Sequence, residues 1–196
     1  MSDARAGRAG MTLLELLLVL SIMGVLTAMA VPTVVVGMSE LRMQGAVDRL
    51  MAACRRARAE ATNTGLIHRL SFTTAEGAYR ITVEADPLDA PGVFRTVQES
   101  WGRQVTLPDS LAFGEITVDA TDAAEAALTA DADLVIEFLP DGRTSGALIP
   151  IREADSYDET DTVYIHLESA TGRVSIVSEE EREEIEAERE EEASGT

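Results

Sequence analysis

The sequence has no lysine, only one cysteine and two histidines, and few aromatic residues. The single cysteine, Cys54, excludes an internal disulfide. All 16 basic residues are arginines, and 35 acidic residues outnumber them, which gives a formal net charge of −19. Because this charge repels polyanions, we expect no nucleic-acid partner and no attraction to anionic surfaces.

Groups that could carry catalysis or hold a metal are also scarce. His68 and His166 each stand within a predicted strand, and no serine, cysteine or histidine occupies a nucleophile motif such as G-x-S-x-G. Residues 153–161 contain enough carboxylates for a hard cation, but they lack the glycine turn and the ligand spacing of a calcium loop. The sequence therefore predicts no enzyme activity, no catalytic residue, no cofactor and no metal site.

A long uncharged segment lies near the N-terminus. No charged side chain occurs between Glu15 and Glu40, and this run exceeds the roughly 20 helical residues that cross a bilayer. We therefore predict a transmembrane helix over residues 11–38, which would make the lipid bilayer a partner. Arg5 and Arg8 precede it, so the positive-inside rule predicts a cytoplasmic N-terminus and an exported domain after a single pass.

Glu15 lies at the start of this segment, where a carboxylate costs free energy unless it has a partner. The preceding residues 1–10 are short and polar, and they end in Gly10. Cleavage between Gly10 and Met11 would create an α-amine, mostly cationic at neutral pH, one helical turn from Glu15. That amine, from the same chain or from a neighbouring chain, could neutralise the carboxylate.

The N-terminal segment, with Gly10, then Met11 to Glu15, then an apolar run containing Pro32, resembles the type IV pilins and the type II secretion pseudopilins. The resemblance implies a leader peptide over residues 1–10, cleavage after Gly10 by prepilin peptidase, and N-methylation of Met11. It also implies that Glu15 sets the registry of subunits in a filament. The family usually has phenylalanine where Met11 stands. Pro32 removes a backbone hydrogen bond and is expected to kink the helix.

Two changes of pattern predict the rest of the chain. Helical spacing of apolar residues predicts an amphipathic continuation of the helix over residues 39–64, and alternation then predicts a β domain over residues 65–178. The predicted strands are residues 66–72, 79–84, 96–101, 104–107, 114–118, 134–139, 147–151, 162–168 and 173–177. The fold class is α+β and pilin-like, with the long N-terminal helix packed on antiparallel sheets.

The connections and the tail have their own signals. Residues 86–92, with two prolines, predict a loop, and the alanine-rich residues 119–133 predict a short surface helix. The glutamate-rich residues 179–196 have too few apolar side chains to bury and predict an acidic, disordered tail.

Two turn signatures in the C-terminal half narrow the resemblance. Residues 138–146, FLPDGRTSG, and residues 171–174, TGRV, are similar to the paired turns of the GspH and FimT subgroup of minor pseudopilins. Their arginines, Arg143 and Arg173, could be binding residues, but exposed turn arginines are more often solvated, and we expect these two to be solvated. The resemblance implies a minor pseudopilin of a type II secretion system, held in the bacterial inner membrane with a periplasmic domain. Its partners would be prepilin peptidase, the other major and minor pseudopilins, and the inner-membrane assembly platform.

Two other functions stay open at this point. One is a FimT-like minor pilin of a type IV pilus, which acts in pilus assembly or DNA uptake. The acidic residues after Arg173 argue against the DNA-binding activity but not against pilus assembly. The other is a membrane-anchored binding module whose N-terminal segment is never cleaved.

Overall fold

The computed structural model describes residues 12–119, 134–156 and 161–194, and it divides into two compact units, Met1–Leu41 and Arg42–Thr196. The first unit contains the beginning of helix α1, which spans Leu13–Thr64. Thr12 caps this helix, because the Glu15 amide donates a hydrogen bond to Thr12 Oγ1 at 3.3 Å. The large apolar side chains described here, such as Leu13 and Leu14, are exposed. In the described part of the chain, no helix has a stretch that is long and apolar enough to cross a membrane.

The second unit contains the rest of α1, which is amphipathic. Seven side chains of this part are buried at spacings of one, three or four residues: Ala46, Val47, Leu50, Met51, Cys54, Ala57 and Ala61. The small side chains toward the C-terminal end allow the backbone of α1 to lie close to the sheets. The helix ends at Thr64 because Gly65 adopts a φ of +70° and its amide donates to the Ala61 carbonyl at 3.0 Å.

The first sheet has five antiparallel strands, which are β1 His68–Thr73, β2 Ala78–Asp86, β3 Ala90–Thr96, β4 Val105–Thr106 and β7 Leu134–Phe138. Their order is β3-β2-β1-β7, and β4 pairs with β2 on the same side as β3. The predicted hairpin of β1 and β2 is confirmed, with Leu70 opposite Ile81. Arg69 of β1 stands opposite the buried Glu137 of β7, and the two side chains form an ion pair at 2.6 Å.

The second sheet also has five antiparallel strands, which are β5 Leu111–Phe113, β6 Thr117–Val118, β8 Ala147–Glu153, β9 Val163–Leu167 and β10 Val174–Val177. Their order is β10-β9-β8-β5, and β6 pairs with β8. The last three strands confirm the predicted strands at residues 147–151, 162–168 and 173–177. Strand β10 is an edge strand of this sheet.

The core is shared by α1 and by both sheets. Phe72 of β1 meets Phe113 of β5 edge to face, with ring centroids 5.3 Å apart. Trp101 lies at the border of the core, half-buried. Its ring stacks on His68 of β1 at a centroid distance of 6.2 Å, and the Arg56 guanidinium of α1 lies 5.3 Å from the same ring. The predicted α+β architecture, a helix packed on antiparallel sheets, is therefore confirmed.

Two local predictions in the β domain are wrong, and one strand was not predicted. The predicted loop at residues 86–92 is a tight turn followed by β3, and Pro91 is tolerated there because β3 is an edge strand. The predicted strand at residues 96–101 is mostly a connection that ends in a short 3₁₀ helix, Ser100–Gly102. Strand β5 was not predicted, since three residues are too few to show alternation. Of the predicted surface helix at residues 119–133, only residue 119 lies within the described residues.

The prediction of a disordered tail is also wrong, because helix α2 spans Glu179–Ser194. Ser178 and Glu181 form a capping box: the Glu181 amide donates to Ser178 Oγ at 3.3 Å, and the Ser178 amide donates to Glu181 Oε2 at 2.8 Å. The helix is then fixed by contacts with the second sheet, described below. Few apolar side chains are needed, because two arginines supply the packing surface.

Candidate functional site

The predicted assembly site at the N-terminus is only partly described. Glu15 is exposed in the first turn of α1, and its carboxylate makes no ion pair with any described residue. Gly10 and Met11 lie outside the described residues. Pro32 falls inside α1, whose helical backbone continues past it. The cleavage, the N-methylation, the registry role of Glu15 and the kink at Pro32 therefore stay predictions.

The first turn signature connects the two sheets. The Gly142 amide donates to the Leu139 carbonyl at 3.0 Å, and Gly142 adopts a φ of +89° that few other residues tolerate. The chain then passes from β7 to β8 through Thr144 and Ser145, which are buried. Ser145 bonds twice to Glu137: its hydroxyl accepts from the Glu137 amide at 3.0 Å, and its amide donates to the Glu137 carbonyl at 3.1 Å.

The second turn signature joins β9 to β10 and packs against the first. Thr144 donates its amide to the Ser169 carbonyl at 2.9 Å, which ties the two turns together. Gly172 has a φ of +63°, and a Cβ atom there would lie 2.6 Å from the Gly142 carbonyl oxygen. Arg58 of α1 completes the cluster, since its Nε donates to that same oxygen at 3.2 Å. We call Arg58, Gly142, Thr144, Ser169 and Gly172 the turn cluster.

Charged groups on the two turns are held by local hydrogen bonds. Asp141 accepts from the Arg143 amide at 3.0 Å and from Arg143 Nε at 2.7 Å. These bonds, the backbone one first, hold the pKa of Asp141 below its ordinary value. Arg173 has a weaker partner, Glu168, at 3.7 Å. Arg143 and Arg173 are both exposed, as the sequence predicts.

A cleft of about 550 Å³ lies between the C-terminal part of α1 and the second turn. Three of its lining residues are arginines, Arg55, Arg58 and Arg173. The cleft is further lined by Thr62, Asn63 and Gly172. None of the described residues that line it is acidic. We call this feature the arginine cleft.

A second cavity, of about 590 Å³, lies between α2 and the outer face of the second sheet. Arg189 reaches across it to Asp119 at 2.8 Å and to Thr117 Oγ1 at 2.8 Å. Arg182 lies over the Tyr164 ring of β9, 5.1 Å from its centroid, and pairs with Glu186 at 2.9 Å. These contacts hold α2 against β6 and β9.

The surroundings of this cavity change the pKa of one histidine. His166 of β9 lines the cavity under α2, where burial lowers its pKa and the positive charge of Arg189 lowers it further.

Burial raises the pKa of the Cys54 thiol to about 12, so this thiol stays protonated and unreactive at neutral pH. Within residues 12–119, 134–156 and 161–194, no group of three or more histidine, cysteine, aspartate or glutamate side chains could hold a metal ion.

Sequence reasoning missed the docking of α2 and the role of Arg58. A signal for α2 was present, since Arg182, Ile185 and Arg189 recur at three- and four-residue spacing and so share one helix face. Arg58 gave no such signal, because its partner Gly142 is 84 residues away in the chain.

Two sequence similarities indicate the family of this chain. Residues 5–31, which include Gly10, Met11 and Glu15, match the prokaryotic N-terminal methylation motif. Pilin-like protein PilA1 of Thermus thermophilus is 34% identical over 116 residues, which cover 56% of this chain and 73% of that protein.

Two solved structures share the fold. The minor pseudopilin EpsH from the type 2 secretion system of Vibrio cholerae has a TM-score of 0.52 at 10% identity, covering 69% of this chain and 95% of EpsH. E. coli GspH has a TM-score of 0.51 at 16% identity, covering 71% of this chain and 89% of GspH. The long helix packed on antiparallel sheets is thus an architecture that this chain has in common with both.

Proposed function

This chain belongs to the type IV pilin-like family, and we propose that it is a GspH/FimT-like member that acts as a minor pseudopilin of a type II secretion system. The observation that carries this choice is the two-sheet domain built on the C-terminal part of α1, which matches the folds of EpsH and GspH. The protein is then a building block of a periplasmic pseudopilus that drives protein export.

Processing follows from the N-terminal motif. Prepilin peptidase cleaves after Gly10, and the new α-amine on Met11 is methylated. The transmembrane helix that the sequence predicts over residues 11–38 anchors the subunit in the inner membrane before assembly. The β domain is then periplasmic, on the side opposite Arg5 and Arg8.

Assembly depends on charge pairing in a medium of low polarity. Each subunit brings one carboxylate, Glu15, and one cationic amine, that of Met11. A subunit that enters the filament pairs its own carboxylate with the amine of a neighbour, which removes the free energy cost of an isolated charge in lipid. Subunits in any other register leave both charges unpaired, so the pair selects one register.

A second candidate is a minor pilin of a type IV pilus. The relative at 34% identity is named a pilin-like protein, and this favours a pilus role. The N-terminal chemistry is the same in both assemblies, so it does not separate them.

The test is a deletion of the gene in its native host. Enzyme activity in the culture supernatant is measured beside twitching motility and DNA uptake in the same strain. Loss of extracellular activity with motility and uptake intact is the expected result. Loss of motility or uptake with secretion intact would contradict the secretion role and favour the pilus role.

A further inference from the structure

The arginine cleft concentrates positive charge on a strongly negative chain. Three of the 16 arginines line one cleft, while 35 acidic residues are spread over the sequence. Since none of the described lining residues is acidic, the cleft is an electropositive recess in a surface of opposite sign. Such recesses focus the local field and favour an anionic ligand.

The three guanidinium groups have donors to spare. Arg58 uses only Nε, toward the Gly142 carbonyl, so its terminal nitrogens make no hydrogen bond to a described residue. Arg55 is exposed and makes no hydrogen bond or ion pair with any residue of the described ranges. Arg173 has only the 3.7 Å pair with Glu168, and 77% of its side chain is exposed. A ligand with several oxygen acceptors can engage all three without displacing a strong internal contact.

The walls of the cleft are fixed rather than loose. Arg55 and Arg58 stand on consecutive turns of α1, which is anchored by the buried Cys54 and Ala57. Arg173 follows Gly172, whose close approach to Gly142 leaves the second turn little room to move. A preorganised set of donors loses less entropy when it binds a ligand.

We propose that the arginine cleft binds a carboxylate-rich segment of a neighbouring subunit in the filament. A short acidic peptide suits the cleft better than nucleic acid does, because it is short enough to lie within the cleft. Duplex DNA carries a charge about every 1.7 Å and extends far beyond a cleft of this size, so most of it would face the acidic surface. A few glutamate or aspartate side chains fit within the cleft and avoid that repulsion.

The assignment to a neighbouring filament subunit rests on the proposed function, whereas carboxylate binding by the cleft does not. The two parts are therefore tested separately.

The first experiment measures peptide binding to the full-length protein in detergent micelles. The probe is a labelled peptide of alternating glutamate and glycine, compared with its glutamine counterpart by fluorescence anisotropy. At about 0.15 M salt the screening length is about 8 Å, so the cleft arginines act on the probe while distant carboxylates are largely screened. We expect the glutamate peptide to bind and the glutamine peptide not to bind.

The variant Arg55→Gln/Arg173→Gln should weaken binding at least about fivefold, since two exposed charge-assisted contacts are lost. The matched control, Arg95→Gln/Arg103→Gln, removes the same charge from exposed positions outside the cleft and should leave the affinity unchanged. Thermal unfolding of both variants checks that they fold. Equal affinity for the two peptides, equal weakening in the control, or tighter binding of a DNA duplex at the same cleft would overturn the proposal.

The second experiment asks whether the cleft acts in assembly. The strain that carries Arg55→Gln/Arg173→Gln should secrete less enzyme than the control strain, with normal amounts of processed protein. Normal secretion by this strain, in a host where the deletion abolishes secretion, would overturn the assignment to a neighbouring subunit. A deletion without any secretion defect would instead contradict the proposed function and would leave the peptide result standing.

Discussion

At the scale of single residues, Gly172 shows how a turn signature acts through space. Its φ of +63° and its position against the Gly142 carbonyl both exclude a side chain. The sequence predicts a turn at residues 171–174, and the structure has it. The same residues also make a close contact with a turn about thirty residues earlier.

Replacing this glycine tests the contact. We expect Gly172→Ala to lower the free energy of unfolding by about 2–4 kcal/mol, because the left-handed backbone and the clash with Gly142 both add cost. The control is Gly65→Ala, which has a similar φ of +70° but open space around its Cβ position. Urea unfolding of the two variants separates the clash from the backbone cost. Equal losses would show that the contact between the turns contributes nothing.

Glu15 is the residue on which the assembly model depends. We expect Glu15→Ala to be cleaved by prepilin peptidase as the parent is, but to enter filaments poorly, because the α-amine of a neighbour loses its partner. Intact-mass measurement of the membrane fraction reports cleavage, and quantification of sheared filaments reports assembly. Glu40→Ala, an exposed acid on the same helix beyond the uncharged run, serves as the control. Assembly at the parental level in Glu15→Ala would rule out the registry role.

At the scale of elements, helix α2 is held by a few polar contacts. Among the residues that make these contacts, Arg189 is the farthest along the helix. Its ion pair with Asp119 and its hydrogen bond to Thr117 join the helix to β6 and to the residue after it. We expect Arg189→Gln to weaken the docking of α2 by about 1–2 kcal/mol. Hydrogen exchange over residues 179–194 should then accelerate, while exchange in β8 and β9 stays slow. Unchanged protection of α2 would mean that other contacts hold it.

We expect His166, which lines the cavity under α2, to make the docking of this helix sensitive to pH. Its pKa is lowered in the folded state by burial and by Arg189, so protonation favours the state in which the histidine is released to water. The contribution of His166 to stability is therefore complete above the ordinary pKa of 6.5 and declines as the pH falls below it. The protection of α2 from hydrogen exchange should decrease between about pH 7.5 and about pH 5.5. In His166→Gln this decrease should be smaller, and an identical pH profile would contradict the assignment.

The elements also show what a sequence reveals and what it hides. The row of buried apolar side chains on α1 and the β1–β2 hairpin were predictable, because their periodicity is local and each buries one face. The N-terminal motif was predictable because its residues are adjacent. Strand β3 was hidden because its edge position, and not its sequence, makes Pro91 acceptable. The docking of α2 was hidden because its partners, Asp119 and Tyr164, are distant in the chain.

At the scale of the whole molecule, the net charge of −19 opposes compactness. The excess of acids over bases implies that repulsion outweighs the surface ion pairs, several of which are exposed and contribute little. We expect the urea midpoint to rise as sodium chloride increases from about 0.02 M to about 0.2 M, because salt screens repulsion between exposed charges. Replacing the exposed Glu180, Glu183 and Glu184 with glutamine should reduce this rise. A midpoint that falls with salt would show that attractive pairs dominate.

The position of the only tryptophan gives the molecule a built-in optical probe. Trp101 touches His68 of the first sheet and Arg56 of α1, so its emission wavelength reports whether that sheet and the helix remain in contact. The contacts of α2 described above are made with other residues, Asp119, Thr117 and Tyr164. Undocking of α2 should therefore be spectrally silent, whereas separation of α1 from the first sheet should shift the emission to longer wavelength. One fluorescence trace, recorded beside hydrogen exchange, thus distinguishes a loosened tail from a molecule that has lost its core.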